Sequence, residues 1–428
     1  MNFIKTPIKY YHLNSIPLGW KISYVKYLGN YINGYAFKPD DWSSQGKPIL
    51  RIQNLSNPNA DFNRYEGEIS KNYLVRKGDI LISWSASLGV YKWLGEDSWL
   101  NQHIFKVEIN YNLVCDEYFI WLASWFIEEL EHKVHGSTMQ HLTWNAFGSF
   151  PVLLPPIPEQ KIIAHYLDQE TTKIDELIKA KKRLLELLDE KRRALITHAV
   201  TRGLNPDVPM RDSGIEWIGE IPKHWSVQRL KTVSRSLQIG PFGSQLHAED
   251  YIDDGIPVIN PVHLVDGKIV PDYQVAVDQE TAKRLSIYQL ESGDVVFARR
   301  GEIGRCGLVT QQEVGWLCGS GSLRVRPNLE SLDPEYLVLL VSNTFVGKSL
   351  SIMSVGTTME NLNTEIISEL IIPLPPLNEQ YSIVFKIKNK IFQLNSLKIT
   401  TEQTIKLLEE RRKSLITAAV TGQIKIKE

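Results

Sequence analysis

No run of eighteen apolar residues occurs anywhere in the 428, so a membrane helix has nowhere to lie. The opening residues, MNFIKTPIKYYHLN, carry no apolar h-region and no cleavage site, so a cytoplasmic rather than a secreted chain is expected. Cysteine is scarce. Cys115, Cys306 and Cys318 are an odd number without a C-x-x-C pair, which argues against a disulfide framework and for free thiols in a reducing compartment. Neither sign of charge dominates: the formal net charge is −1, so only local clustering of basic side chains can favour a polyanion.

Catalytic motifs are missing as well. Gly347-Lys348-Ser349 lacks the upstream glycine of a phosphate-binding loop, Ser342 standing in its place. No glycine-rich dinucleotide loop, no H-E-x-x-H and no Cys/His zinc spacing occur, so no metal site is expected. Gly319-Ser320-Gly321 does not satisfy G-x-S-x-G and reads as a turn. No Asn-Pro-Pro-aromatic or Asp-Pro-Pro-aromatic tetrapeptide occurs, so methyl transfer to an amino group by this chain is unsupported.

What the chain does have is a repeat. Gly136, Thr138, Met139, Leu142, Pro155, Pro156, Glu159 and Gln160 recur as Gly356, Thr358, Met359, Leu362, Pro375, Pro376, Glu379 and Gln380, every pair 220 apart. The L-I-T-x-A-V-T phrase at 195–201 recurs at 415–421 with the same offset. Upstream the offset drifts: Trp20 matches Trp225 at 205, Pro48 matches Pro257 at 209, and Gly78-Asp79 matches Gly293-Asp294 at 215. Insertions gather in surface loops, so the unit is a loop-rich globular part followed by one rigid element, used twice.

The rigid element reads as a long helix. Leu167, Ile174, Leu188 and Leu195, with Leu177 and Leu184, form an apolar stripe near 3.5-residue spacing; Ile387, Leu394, Leu408 and Leu415, with Leu397, repeat it. Lys181 and Thr401 interrupt the stripe at the same register. About forty residues give a rod of roughly 60 Å. The Pro-Pro pairs aim the chain into each helix, and Gly203 and Gly422 stand where a C-terminal glycine is favoured. A lone helix cannot bury such a stripe, so an antiparallel pair within the chain is expected. The globular parts read as mixed α/β, with strands over 48–53, 79–84 and 104–109 matched by 257–261, 294–298 and 323–326. Helices over 117–130 and 334–346 follow. The boundaries are a first domain over 1–157, a first helix over 158–203, a second domain over 204–377 and a second helix over 378–428.

Polar, basic and aromatic loops remain as candidate sites. Arg299, Arg300 and Arg305 surround Gly301 and Gly304 directly after a strand, and arginine's fork suits phosphate oxygens or a guanine edge. The first copy places Ser83-Trp84-Ser85 there, so one frame carries two different tips. The loop of Gly240, Phe242 and Ser244 offers backbone amides to a phosphate. Asn54, Asn101, Gln102, His103, Asn260 and His263 have the donors and acceptors that read base edges. Thr138, Gln140 and Thr358, at the repeated Gly-Ser/Thr-Thr turn, complete the set. The basic runs at 181–183, 191–193 and 411–413 suit phosphates or acidic partner surfaces.

The two L-P-P-x-x-E-Q motifs at 154–160 and 374–380, the two L-I-T-x-A-V-T helix ends, and the strings at 240–244, 255–258 and 300–304 occur together, and jointly they resemble the specificity subunits of type I restriction-modification systems over essentially the whole chain. The first copy departs from the arginine-glycine string, with Ser85-Ala86-Ser87-Leu88-Gly89 at that place. The resemblance implies two target recognition domains, each reading half of a split, asymmetric site in double-stranded DNA. It implies an antiparallel coiled coil of the two helices that spaces the readers and docks two modification subunits. It also implies a chain without its own cofactor: S-adenosylmethionine would belong to the modification subunits, and ATP with Mg to the restriction and translocation subunits. A coiled-coil adaptor without a DNA role, or a fragment of a single-chain restriction-methyltransferase, are the alternatives.

Overall fold

The computed structural model describes residues 3–5, 15–57, 60–85, 87–134, 143–216, 218–301, 304–342, 346, 350 and 362–426. The chain divides into two compact units, one of Met1–Lys182 with Glu402–Glu428 and one of Arg183–Thr401. Each unit therefore contains one globular head and a part of both long helices.

In the first unit, Gly29–Asn33, Ile104–Ile109, Ile80–Ser83 and Gly89–Lys92 lie side by side in that order as an antiparallel sheet. A second sheet is mixed, with Lys47–Leu50 parallel to Ser98–Leu100. The second unit repeats both. Ser234–Ile239, Ser322–Pro327, Val295–Ala298 and Cys306–Leu308 form the antiparallel sheet, and Ile256–Ile259 runs parallel to Leu317–Cys318. Helices Asp116–Val134 and Pro334–Val341 pack on these frames.

Two expected strands end early. The one expected over 48–53 stops at Leu50, and Ile52–Ser56 is helical. The one expected over 257–261 stops at Ile259. The cause is the same in both. The backbone N–H of Arg51 donates to Asn54 Oδ1 (3.1 Å), and that of Asn260 to His263 Nδ1 (3.1 Å), so a side chain three residues on turns the backbone out of the strand.

The long helices span Ile157–Arg202 and Leu377–Val420, 46 and 44 residues. Each is anchored at its start by the motif glutamine. Gln160 is fully buried: its Oε1 accepts from Cys115 N (2.9 Å) and its Nε2 donates to the carbonyls of Leu113 (2.8 Å) and Pro155 (2.9 Å). Gln380 repeats this with Asp333 N (2.8 Å) and the carbonyls of Ser331 (2.8 Å) and Pro375 (2.9 Å). At their ends Gly203 and Gly422 take φ of +74° and +69°, the left-handed conformation that stops a helix.

The repeated L-I-T-x-A-V-T phrase closes the head cores. Ile416, Ala419 and Val420 are buried among Val152, Leu153, Tyr118 and Phe119 of the first unit. Ile196, Ala199 and Val200 are buried among Tyr336, Leu337 and Ile372 of the second. The Tyr118 hydroxyl donates to the carbonyls of Leu153 (3.2 Å) and Val420 (3.4 Å). The Tyr336 hydroxyl does the same to Pro373 (3.1 Å) and Val200 (3.4 Å).

Within each unit the two helices run antiparallel. In the first, Arg412 Nε meets Asp175 Oδ1 at 2.9 Å and Lys182 lies 3.7 Å from Glu409, so higher numbers on one helix face lower numbers on the other. In the second, Lys398 meets Asp189 at 3.2 Å, and Ile196 shares a core with Ile383 and Ile387. The inward-facing row is Leu167, Thr171, Ile174, Ile178, Lys181, Leu185, Leu188, Arg192, Leu195 and Ala199, repeated as Ile387, Ile391, Leu394, Lys398, Thr401, Ile405, Leu408, Arg412, Leu415 and Ala419. Leu177 and Leu397, expected in this seam, are 51% and 46% exposed. Alternating steps of four and three from Leu167 reach Ile178, not Leu177, which sits one residue and about 100° off the row. Leu184 is half-buried beside the row. Thr401 does not break the seam: it is 2% exposed, and its hydroxyl donates to the Leu397 carbonyl (2.7 Å). The basic runs are held by carboxylates of their own units: Arg183 by Glu186 (2.5 Å), Arg192 by Asp266 (3.5 Å) and Lys413 by Glu128 (2.5 Å).

Replacing Gln160 or Gln380 by alanine strands three buried backbone groups and is expected to cost about 3 kcal/mol of unfolding free energy in either unit. Urea unfolding of the full chain checks this; a loss below about 0.5 kcal/mol contradicts the anchoring role.

Candidate nucleic-acid interface

The heads place their variable residues on matched loops. Position by position the frame is the same: Gly34 packs on the Asn101 carbonyl as Gly240 packs on that of Gly319, where an added Cβ would come within 1.9 and 2.0 Å. Gly240 is thus required by strand packing rather than by approach to a phosphate. Beyond it, Phe242 is 62% exposed and Ser244 is exposed, while the Phe242 amide donates to Gln245 Oε1 (3.2 Å).

Several candidate readers face inward. Asn54 is buried and its Nδ2 donates to the carbonyls of Ala60 (3.3 Å) and Asp61 (3.2 Å) while Oδ1 caps Arg51, so it holds its own loop. His263, at the matched position, is buried and accepts from Asn260; burial lowers its imidazole below the usual histidine value. Ser83 is fully buried, with its hydroxyl on the Ser87 carbonyl (2.5 Å), and Ser85 is buried too. Arg299 lies half-buried against its own unit, Nε on the Leu362 carbonyl (2.7 Å) and Nη1 on that of Ser320 (3.1 Å). These five are parts of the frame, because each has its hydrogen-bonding capacity or its surface taken up internally.

The outward set is smaller. Arg300 and Arg305 are exposed in the loop where Gly301 and Gly304 have φ of +77° and +96°. Asn101, Gln102, His103 and Asn260 are half-buried at the rim. Thr138, Gln140 and Thr358 lie outside the described residues. At the position of Arg299 the first head has Trp84, whose indole donates to Asn33 Oδ1 (3.1 Å) and whose ring meets His103 at 4.9 Å and stacks on Phe105 at 5.7 Å. Tyr31, Asn33, Trp84, Phe105, Trp144 and Phe147 line a cavity of about 320 Å³. The signal for this aromatic group was the mismatch of Trp84 with Arg299 inside the repeat. Arg51 was not singled out from the sequence; its guanidinium lies 5.2 Å from the Trp42 ring.

The thiols are all buried and free, and burial pushes Cys306 and Cys318 up to about 12, which removes them as nucleophiles or metal thiolates near neutral pH. Among the described residues no group of His, Cys, Asp and Glu is arranged to hold a metal, and no helix is long and apolar enough to cross a membrane.

Arg299→Ala is expected to lower unfolding free energy by about 2 kcal/mol, since two charge-assisted bonds to carbonyls are lost. Arg300→Ala, on the surface, should change it by less than about 0.5 kcal/mol. Chemical denaturation separates the two; equal losses contradict the assignment of Arg299 to the frame. His263 gives a pH signature. Its folded value lies below the unfolded 6.5, so its contribution is complete above pH 6.5 and is lost as pH falls through that value toward the lower folded one. His263→Asn, which installs the side chain used at Asn54, should shrink the stability difference between pH 7.5 and 5.5. An unchanged difference assigns the pH dependence elsewhere.

The model of the type I restriction modification DNA specificity domain matches this chain twice, over residues 17–187 and 222–409. The EcoBI type I restriction enzyme specificity subunit of Escherichia coli is 23% identical over 418 residues, covering 96% of this chain and 88% of that one. The MjaVIII specificity subunit of Methanocaldococcus jannaschii is 24% identical over 434 residues, covering 100% and 98%. A solved chain from work on complex assembly and conformational transition of the type I R-M system superimposes with a TM-score of 0.74 at 16% identity, covering 96% of this chain and 99% of that one. The HsdS subunit from Thermoanaerobacter tengcongensis gives 0.57 at 16% identity, with 96% and 98% covered. The twofold match spans most of the chain and falls on the two heads and helices described above: the chain belongs to the type I restriction-modification DNA specificity family.

Proposed function

We propose that this chain is the DNA-recognition subunit of a type I restriction-modification complex, with each head reading one half of a split, asymmetric duplex site. The observation that carries the reading is a conserved frame with divergent tips. The heads agree in strand pairing, in the Asn54/His263 cap and in the Gln160/Gln380 anchor, yet differ in the loop that follows the matched strands Ile80–Ser83 and Val295–Ala298, where the first head has the half-buried Trp84 and the buried Ser85 and the second has Arg299 with the exposed Arg300 and Arg305. A duplicated scaffold that varies only at its loops suits two readers of different sequence.

In this reading Arg300, Arg305, Phe242, Ser244, Gln102 and His103 are the side chains that meet DNA. The exposed arginines contribute phosphate or guanine contacts, and the rim amides and imidazole contribute base-edge bonds. The helices hold the heads at a set separation and carry two modification subunits, which supply S-adenosylmethionine chemistry; restriction and translocation subunits supply ATP- and Mg-dependent steps. The chain itself acts in the cytoplasm and performs no chemistry.

The seam sets how the ruler is tested. An insertion of four residues in one helix shifts its apolar row out of register, whereas seven restore it. Seven added residues after Lys181 and seven more after Thr401 lengthen both helices by about 10 Å, or about three base pairs at 3.4 Å each. Sequencing the methylated sites of a host expressing this variant with its partner subunits should show the same two half-sites with a longer spacer. Modification at the original spacer with undiminished efficiency overturns the spacing role.

A further inference from the structure

The first head contains an aromatic cavity that its frame does not need. Tyr31, Asn33, Trp84, Phe105, Trp144 and Phe147 line it, and a volume of about 320 Å³ places it at the small end of ligand-sized pockets rather than among packing defects. Five of the six lining residues are aromatic and none is charged. Trp144 is 51% exposed and Trp84 half-buried, so two indoles on the wall keep surface free. The Tyr31 hydroxyl is committed, donating to the Val25 carbonyl (2.8 Å). The polar group left over is the exposed Asn33 amide. Its Oδ1 accepts from the Trp84 indole (3.1 Å), and its Nδ2 has no acceptor among the described residues.

The second head is built without this box. Strand pairing sets Asn33 opposite Phe105 and Ile239 opposite Leu323, and the same register matches Tyr31 with Leu237. Trp84 corresponds to Arg299, Trp144 to Thr364 and Phe147 to Ile367. No aromatic residue stands at the matched positions, and Arg299 ties down the place through its bonds to the Leu362 and Ser320 carbonyls. The same sheet therefore folds with or without the aromatic set. His103, whose ring meets Trp84, gives a second sign. It holds φ of +71°, a costly conformation for a residue with a Cβ, where the matched residue is Gly321. The backbone that carries it is shared: Trp84 N donates to the His103 carbonyl (3.1 Å) as Arg299 N does to that of Gly321 (2.9 Å). Its Nδ1 is buried with no hydrogen-bond partner among the described residues, so internal bonding does not account for a histidine here.

These features select the ligand. Without a charged side chain the walls have nothing to pair with a phosphate. The free Asn33 group is an N–H donor, which a cation held by the rings cannot use and a ring oxygen or ring nitrogen can. Flat aromatic walls favour a flat ring. An uncharged planar ring with acceptors on its edge is a nucleobase. The cavity is also continuous with the reading surface: Trp84 directly follows Ile80–Ser83, at the place where the second head presents Arg299-Arg300, and His103 packs on it. A base inside the duplex has both faces covered and cannot enter; a base swung out of the stack can. We propose that the cavity of Tyr31, Asn33, Trp84, Phe105, Trp144 and Phe147 receives one nucleobase extruded from the duplex in or beside the first head's half-site, stacked on the indoles and bonded by Asn33 Nδ2. This rests on the DNA-recognition reading above and adds that the two half-sites are read differently, only the first with a base out of the stack.

The test titrates the full chain, assembled with its modification subunits and without methyl donor, with duplexes of the site it methylates. Each base of the half-sites and their flanks in turn keeps its identity while its pairing partner is changed to a mismatch. A mismatch lowers the cost of extrusion, so affinity rises only at bases that leave the stack. The bases that the modification subunits methylate should gain, because methyltransferases extrude their targets. One further base should gain at least about tenfold. Trp144→Ser should cut that gain below about twofold and leave the gains at the methylated bases intact. Asn33→Ala, which keeps the rings, should keep the gain and relax the choice of base at that position at least about fivefold. A recognised site with no further gaining base, or a further gain that survives Trp144→Ser, overturns the inference and leaves the recognition reading standing. Should Trp144→Ser fail to fold, an unchanged base preference in Asn33→Ala overturns it. A complex that binds its methylated site no tighter than unrelated duplex overturns the recognition reading instead. Thymidine or adenosine bound to the free chain and lost in Trp144→Ser, with no further gaining base, assigns the cavity to a free nucleoside and overturns the inference as well.

Discussion

Neither head can finish its own core. Tyr118, Phe119, Val152 and Leu153 leave an apolar opening that Ile416, Ala419 and Val420 fill, and Tyr336, Leu337 and Ile372 leave one that Ile196, Ala199 and Val200 fill. Burying an isoleucine and a valine is worth about 2 kcal/mol each, and the hydroxyls of Tyr118 and Tyr336 fix the helix ends by bonds to the carbonyls of Val420 and Val200 in their last turns. The helix ends are thus not spacers that happen to stop at a head. Each is a piece of the head it enters. That accounts for the repeated phrase at 195–201 and 415–421: isoleucine, alanine and valine at these places satisfy the same cavity twice.

With the ends fixed in this way, the helical seam can be irregular. It contains Lys398 and Arg412, which meet Asp189 and Asp175, and threonines whose hydroxyls turn back to their own helix. Polar groups at seam positions discriminate register more than they stabilise. Arg412 faces Asp175 in one unit, while its repeat counterpart Arg192 turns to Asp266 in the other, so the two ends of the pairing are chemically distinct.

The repeat, the helix starts and the helix ends were legible from residue identity because each imposes an unusual residue: Pro155-Pro156 before the helix, a glutamine that must satisfy three backbone groups, a glycine at positive φ. The exact inward row was less legible, since Leu177 and Leu184 fit a heptad nearly as well as Ile178 and Leu185 do, and leucines off the row tolerate exposure. Candidate readers were the least legible. Asn54 and His263 look like base-reading side chains, and Arg299 like a phosphate contact, but capping a strand end or stapling a carbonyl calls on the same hydrogen-bonding groups. Composition cannot tell the two uses apart; the matched cap at Asn54 and His263 does, because it appears in both heads with different chemistry and one geometry.

The dependence of the first head on residues 416–420 also sets an order of events at the ribosome. Ile163 and Ile416 share one core but are some 250 positions apart in synthesis; at five to twenty residues per second the earlier one waits roughly ten to fifty seconds for the later. The second unit needs only Arg183–Thr401 and is complete sooner. The part of the protein made first is therefore the part that folds last, with its aromatic interior open throughout the wait.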